Sequence, residues 1–600
     1  MQIGSTLAGG TVATGGTERM IGSSTGLAVE TCERRLRLVD PALPGAVGVD
    51  GHLSWFGRAG IAAGRPGSEA AVQALSGLME VNGRDGGRPR RLGLDVASVA
   101  AGLLGASGVL AAAVARRRGH DVTAVATSPL EAALVLMSHY FVVATGLGDA
   151  VPGPPLAEPG PPFRSAEGTW FEIETLDPED WRRFWGLLGV EGPELGRAWT
   201  VFRWRYERAA CSLPAGLHEA TARRPLAELA DAAAAAGVSL SPLRAYADVL
   251  ADPGQGAAAP EVRRAGPGDP SPAAAATGTT GAGPLAGLRV VEATTRIQGP
   301  FAGMLLRMLG ADVVRVQPPE GDYGRAALCL HRGKETVRLD LATPAGRDEL
   351  AGLVDGADVF FHNWRPGKAE AWGLDVGSLT RRNRRLVYGS ASGWGARRVG
   401  QGLVGTDFLV QAYAGLGGTL HPEGEAPFPS RVILGDLFGA IVLAEGVLAG
   451  LYRREHEPGA WEVRSSLLAG VMALQAHVLD AVAEGKSDGR PRWGPLDRPI
   501  PTADGSLVVT VDDDDAFRDL CRVCDVDPTA ASRSATEERL AARLADGRAD
   551  EWVDACTAAG LPSAVAVEDL ATVPADPRFA GLFEPVGMGG LAPSTPWTFS

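Results

Sequence analysis

The sequence predicts an α/β protein: a doubly wound parallel-sheet domain joined to a smaller α+β domain, with the architecture present as two unequal repeats. Three observations predict it. From Leu285 onward β-branched runs alternate with helical patterns, the signature of a parallel sheet covered by helices. AVQALSGLME, from Ala71, returns as LVQAYAGLGG, from Leu409. The chain of 600 residues exceeds what one hydrophobic core holds.

Residues 1–67 begin MQIGSTLAGGTVATGGTERM, with neither a basic start nor an apolar run. They read as a flexible, degenerate segment and not as a signal peptide. Residues 68–253 form the first repeat. Setting Gln73 on Gln411 without gaps also sets Glu69 on Asp407, Gly77 on Gly415, Pro89 on Pro427, Gly108 on Gly446 and Ser128 on Ser466. In the same register the acidic turns VNGRDGGRP and LHPEGEAP coincide, so Asp85 falls on Glu423. Further on, SAEGTWFEIETLDPEDW, from Ser165, matches TADGSLVVTVDDDDAF, from Thr502. Each reads as a strand leading into a helix whose acidic first turn suits the helix dipole.

Residues 254–284 are rich in Gly, Pro and Ala with no apolar periodicity, and read as a flexible linker. Residues 285–600 form the fuller repeat. Its opening reads as a strand over Leu288 to Glu292, a helix over Phe301 to Leu309 and a strand over Asp312 to Val316. A helix over Ala345 to Val354, the strand ADVFFHNW, a helix to Trp372 and the strand RLVYGSAS follow. The first repeat has only a short Gly-rich substitute for this stretch. One nucleotide-type unit therefore serves two halves.

A net charge of −14 argues against nucleic acid and anionic membrane as partners, while leaving room for a local basic groove. VASVAAGLLGASGVLAAAVARRR and LFGAIVLAEGVLAGLYRRE are the most apolar stretches. The Gly and Ala content of the first and Glu445 within the second make them buried helices instead of membrane spans. Six cysteines in so long a chain indicate a reducing, cytoplasmic setting. Cys521 and Cys524 form a CxxC with no second pair to complete a zinc site, so they read as core and no metal is expected.

Candidate ligand-binding residues cluster at the carboxyl ends of the expected parallel strands, where open α/β sheets hold ligands. Arg315 ends one strand. Arg332 and Lys334 flank Gly333 in a loop, which lets cations and backbone meet a phosphate together. Asn363-Trp364-Arg365-Pro366-Gly367 follows a buried strand; a turn alone would explain Pro366 and Gly367, but not Asn363 and Arg365 beside an aromatic ring.

These segments resemble the class III CoA-transferases, the CaiB/BaiF family. TRIQGPFAGMLLRMLGADVVRVQPP resembles that family's opening strand–helix–strand, LHRGKETVRLDLATPAGRDEL its RGK segment, and ADVFFHNWRPGKAEAWGLD its N-F-R-P-G signature. The resemblance covers nearly all of residues 285–579, and 68–253 resembles the remainder of the family's chain. It implies coenzyme A bound as an acyl-CoA substrate, with phosphate contacts from Arg315, Arg332, Lys334 and Arg365 and further contacts from Asn363 and Trp364. It also implies a small carboxylic acid as partner, and an internal pseudo-dimer, with a further homodimer left open.

By the same resemblance an acidic residue in a T-G-x-x-D-G-P-P-like turn attacks the acyl-CoA, and the anhydride formed passes to an enzyme thioester. Asp85 and Glu423 occupy that turn. Asp85 is favoured because its side chain is shorter and Gly86-Gly87 leave room for a thioester. The related α-methylacyl-CoA racemases use a G-H-D motif and a later G-D motif. Here the first reads Gly405-Thr406-Asp407, without the His, and the second, Gly435-Asp436, is present. Ser68 and Ser98 hold the matching places in the first repeat. A CoA-thioester racemase, isomerase or dehydratase acting through Asp436 is thus a rival reading, and a non-catalytic CoA-thioester-binding homologue is another.

Overall fold

Seven strands, among the residues described, form the sheet that organises the second repeat. The computed structural model describes residues 10–12, 26–41, 48–62, 64–146, 160–252, 258–267, 283–321, 324, 326–395, 403–427, 429–529 and 532–600. The strand order is Glu335–Arg338, Asp312–Gln317, Arg289–Ala293, Val359–His362, Val387–Ser392, Gly459–Ser466 and Glu261–Pro267. All neighbours are parallel except the last pair. Val359–His362 is buried at every position, as an apolar run covered on both faces must be. The helix Pro344–Asp355 begins on a Thr343 cap with Pro344 in its first turn, so its start is set locally. Strand order reverses between Arg289–Ala293 and Val359–His362. The carboxyl ends of those two strands therefore flank an open crevice.

Two long helices, Val96–Arg117 and Leu434–His456, pack against each other beside the sheet. Both are apolar and long enough to cross a bilayer by composition, and both lie buried within the fold. Glu445, the charge inside the second, meets Arg35 at 2.7 Å with both side chains almost fully enclosed. Arg35 lies on the helix Gly26–Val39, which buries Ala28, Val29, Cys32 and Leu36. That corrects the expectation of a flexible segment over residues 1–67. The helix is ordered by a counter-charge far along the chain, which no local pattern announces.

The expected linker needs a similar correction. Within 254–284, Glu261–Pro267 is the antiparallel seventh strand, and Arg263 pairs with Glu462 across it. The rest of both segments lies in part outside the described residues. The first repeat keeps a small sheet of its own: Gly10–Val12, Asp50–Leu53, Ala124–Thr127 and the C-terminal Thr598–Phe599. The indole of Trp597 donates to Leu104 O at 2.8 Å and ties the chain's end to the first repeat's long helix.

The repeats interlock. The first repeat's three-stranded sheet (Phe163–Arg164, Trp170–Glu174, Ser239–Pro242) packs on the helix Asp407–Tyr413 of the second, and Arg244 N donates to Ala412 O at 3.0 Å. The second repeat's sheet (Ile500–Thr502, Gly505–Val509, Ser563–Val565) packs on Glu69–Leu75 of the first, where Val567 N donates to Ala74 O at 3.0 Å. Ala74 and Ala412 are equivalent positions, so each small domain reaches across to the other half.

Gly77 and Gly415 open the next turn in both halves at φ 81° and 77°. A Cβ on Gly77 would lie 2.2 Å from Leu570 Cδ1, at the crossing of the second small domain. Gly77→Ala is expected to cost ~1–2 kcal/mol in left-handed strain, and more if Leu570 fails to move. Urea titration followed by fluorescence measures it.

Candidate active site

The crevice at the sheet's switch point is a cavity of about 1050 Å³. Its walls come from the loop after Arg289–Ala293 (Thr294 to Gln298), the loop after Val359–His362 (Asn363 to Lys368), and Thr406, Asp407 and Asp436. Asn363 clasps the two loops: its Oδ1 accepts from Thr295 N at 3.0 Å and its Nδ2 donates to Thr295 O at 2.7 Å. Trp364 stacks on His362 at 4.4 Å and meets Trp372 edge-on at 5.1 Å. Arg365 and Lys368 are exposed at the rim, with Lys368 4.2 Å above the Trp372 ring. Two cations beside stacked aromatics suit a phosphorylated purine.

The other expected cations are turned inward. Lys334 is buried, and its Nζ meets Glu292 at 2.7 Å and Pro300 O at 2.8 Å. Arg315 is the cross-strand partner of Glu292 in the parallel register, and it too is buried. Arg332 donates to Pro593 O at 3.2 Å and lies 3.5 Å from Glu584. None of the three lines the crevice. For Lys334 and Arg315 the physical reason is Glu292, a carboxylate within a buried strand that requires counter-charge.

The acidic turns are also elsewhere. Asp85 accepts from Cys211 N at 3.1 Å, is paired with Arg431, and lines a second cleft with no residue in common with the crevice. Glu423 is 61% exposed and 3.4 Å from Arg492. Of the three acidic residues expected to carry chemistry, only Asp436 faces the crevice. It lies in the first turn of Leu434–His456, where the dipole favours negative charge.

Asp436 is 8% exposed. Burial pushes its pKa up to about 6, against the opposing pull of Arg296 and of a hydrogen bond from the Gln298 backbone N–H. Its neighbour Asp407 is fully enclosed and accepts from Asp436 N at 2.8 Å. Burial first, and then the charge on Asp436, raise Asp407 well above the carboxylate range. Both carboxyls are thus pushed upward, Asp407 the more strongly because it is the more deeply enclosed. Two buried polar atoms of the lining, Gln298 Nε2 and Thr406 Oγ1, have no hydrogen-bond partner among the described residues. Both are available to a ligand.

Arg296 adopts φ 67°, an unfavourable backbone for a side-chain residue and a kind of strain that clusters at functional sites. It is held by the first repeat, lying 5.4 Å from the Tyr206 ring centre. Burial works against its charge, yet Tyr206, Glu174 and Asp436 keep its pKa above the ordinary value. Glu174 accepts from Tyr206 and pairs with Arg205 at 3.2 Å; Arg205 also pairs with Glu172 at 2.7 Å, and these three charged groups are deeply buried. Leu176 adds a wall to the crevice. The first repeat's small domain thus completes the second repeat's site.

The converse site is blank. Ser98 stands where Asp436 stands, and its Oγ donates to Glu69, the counterpart of Asp407, at 2.7 Å. Ser68 Oγ is closed off by Thr510 Oγ1 at 2.7 Å. Sequence reading missed Arg296, Gln298, Glu174, Tyr206 and Lys368. One signal was present: Glu172 and Glu174 face Val509 and Val511 in the aligned repeats, two carboxylates where a strand is otherwise apolar.

The sequence profile of CoA-transferase family III matches residues 43–276 and again 285–583. The succinyl-CoA:mesaconate CoA-transferase of Haloarcula hispanica is 31% identical over 299 residues, covering 44% of this chain and 74% of that protein. The succinate–glutarate CoA-transferase of Agrobacterium fabrum is 31% identical over 266 residues, covering 40% and 66%. The crystal structure of a CAIB/BAIF family protein from Brucella suis aligns at TM-score 0.46 with 27% identity, over 53% of this chain and 93% of that one.

Proposed function

From its place in CoA-transferase family III, to which this chain belongs, we propose that Asp436 is the nucleophile that carries CoA between an acyl-CoA thioester and a small carboxylic acid. The chain is an enzyme of the CoA-transferase kind. The observation that carries the assignment is Asp436 itself: a nearly buried carboxylate in the crevice, hydrogen-bonded by the Gln298 N–H and facing Arg296.

Ionised Asp436 attacks the thioester carbonyl, forming an acyl–aspartyl anhydride and expelling CoA thiolate. The thiolate attacks the aspartyl carbonyl, releasing the first carboxylate and leaving CoA as a thioester on Asp436. The incoming carboxylate attacks that thioester and re-expels the thiolate, which takes the acyl carbon of the new anhydride and restores Asp436. The Gln298 N–H that holds the carboxylate is placed to hold the oxyanion at the aspartyl carbon. Arg296 offsets negative charge as carboxylates enter and leave. Arg365 and Lys368 take the CoA phosphates, and Trp364 and Trp372 flank the adenine.

The relatives' names specify small acids such as mesaconate, glutarate and oxalate, which supports a small carboxylate as acceptor. Thr406 stands where the racemases carry His, and no imidazole lines the crevice among the described residues, which favours acyl transfer over racemisation. All six cysteines are buried, in keeping with a reducing cytoplasm. Incubation with acyl-CoA, borohydride or hydroxylamine trapping and peptide mapping tests the nucleophile. Modification is expected on Asp436; modification on Asp85 or Glu423 alone overturns the assignment.

The pH dependence follows from the same geometry. Asp436 must be ionised, so kcat/KM falls as pH drops through about 6. Arg296 lowers that pKa, and its removal raises it further. Arg296→Gln is expected to move the acid limb to higher pH and to lower the plateau. An unmoved limb would show that Arg296 does not act on the nucleophile.

A further inference from the structure

A second cavity, of about 1060 Å³, opens between the two small domains and the two acidic turns. Within a chain of net charge −14, six guanidinium groups line it: Arg88, Arg90, Arg91, Arg164, Arg431 and Arg498. Among the described residues the carboxylates in its walls are Asp85 and Glu425, and both are already engaged, Asp85 by Arg431 and Glu425 by Arg90 and Arg498. Arg88 and Arg164 stand exposed at the rim. Arg91 donates to Asp497 O at 3.2 Å and lies 3.6 Å from its carboxylate, while its buried Nε has no hydrogen-bond partner among the described residues. Two indoles accompany these charges. Trp493 is flanked by Arg91 at 5.7 Å and Arg498 at 5.6 Å, and Trp170 lies 5.8 Å from Arg164.

The cations are not inherited from the repeat. Where the first copy has Arg88, Arg90 and Arg91, the second has Ala426, Phe428 and Pro429. The half without a nucleophile carries them.

We propose that this cleft binds an adenine nucleotide, its phosphates on the arginines and its base against the tryptophans, as an effector of the catalytic crevice. Guanidinium forks match phosphate oxygens, and indole faces stack with purines. The same chemistry is presented by free ADP or ATP and by the 3′-phospho-ADP end of a second CoA. Two continuous segments join the cavities. The strand Trp170–Glu174 begins in the cleft at Trp170 and ends at Glu174, beside Arg296. The segment from Arg431 to Asp436 likewise has one end in each. At ~3.3 Å per residue, a five-residue strand spans little more than 13 Å.

Calorimetric titration of the full chain with ADP, ATP, tripolyphosphate and CoA tests the proposal on three proteins: wild type, Arg88→Ala/Arg164→Ala and Arg365→Ala/Lys368→Ala. Saturable ADP binding is expected in wild type, weakened ~10-fold or more in the Arg88/Arg164 variant as charge-assisted bonds are lost. It should persist in the Arg365/Lys368 variant. Two CoA equivalents per chain, each double variant losing one, identify CoA as the source; one equivalent of CoA beside saturable ADP identifies the free nucleotide. Absence of saturable heat from any of these anions in the Arg365/Lys368 variant overturns the proposal, as does ADP binding indifferent to Arg88 and Arg164. Neither result bears on trapping at Asp436, so the two assignments fail separately.

Discussion

Asp436→Asn is expected to lower the CoA-transfer rate by ~10⁴-fold or more, the scale on which nucleophile deletions act. The substitution is isosteric and keeps the Gln298 N–H contact, so the fold and CoA affinity should survive while the anhydride no longer forms. Transfer of labelled CoA to a carboxylate acceptor, read by mass spectrometry, measures it beside two controls. Glu423→Gln should be near wild type, since that side chain is 61% exposed and far from any enclosed contact. Asp85→Asn should cost stability before rate, because it leaves the buried Arg431 without its partner carboxylate. Wild-type turnover in Asp436→Asn, with loss in Asp85→Asn, would return the chemistry to the acidic turn.

The second large effect lies in the first repeat. Arg205→Met leaves Glu172 and Glu174 buried without their counter-charge, at a cost of ~3–5 kcal/mol. Burial already raises Glu172 in the native protein, and the loss of Arg205 raises it further. A carboxyl whose folded pKa lies above its unfolded value gains stability as pH falls. The deficit of the variant is therefore full above the raised pKa and narrows as pH approaches the ordinary carboxylate range. Urea titrations at several pH values should show that narrowing; a pH-independent deficit would trace the loss to packing of the arginine stem alone. Activity should fall as well, through Glu174 and Tyr206, which hold Arg296.

Much of this was legible in the chain. The strand–helix alternation after Leu285 and the loop Asn363-Trp364-Arg365 at the end of a buried strand follow from periodicity and turn chemistry, which are local. The repeat register followed from paired residues such as Gln73 and Gln411, and it also showed Ser98 in the place of Asp436. What sequence alone misjudged was the destination of charge. Arg332 and Lys334 flank a glycine as a phosphate loop would, but a neighbouring strand buries Glu292, and Lys334 is drawn to it. Asp85 sits in a turn suited to a nucleophile, but Arg431, 346 residues later, claims it.

By itself, then, the sequence determined the parallel sheet, its switch-point crevice and the presence of a second, unequal repeat, because period, spacing and turn residues act over a few positions. Only the tertiary structure decided which carboxylate faces the crevice and that the first repeat builds part of its wall. Those outcomes depend on desolvation and pairing among residues hundreds of positions apart: Glu174 beside Arg296, Arg35 against Glu445, Asp407 beneath Asp436. A buried charge takes whichever partner the fold brings within reach, and that partner has no address in the local sequence.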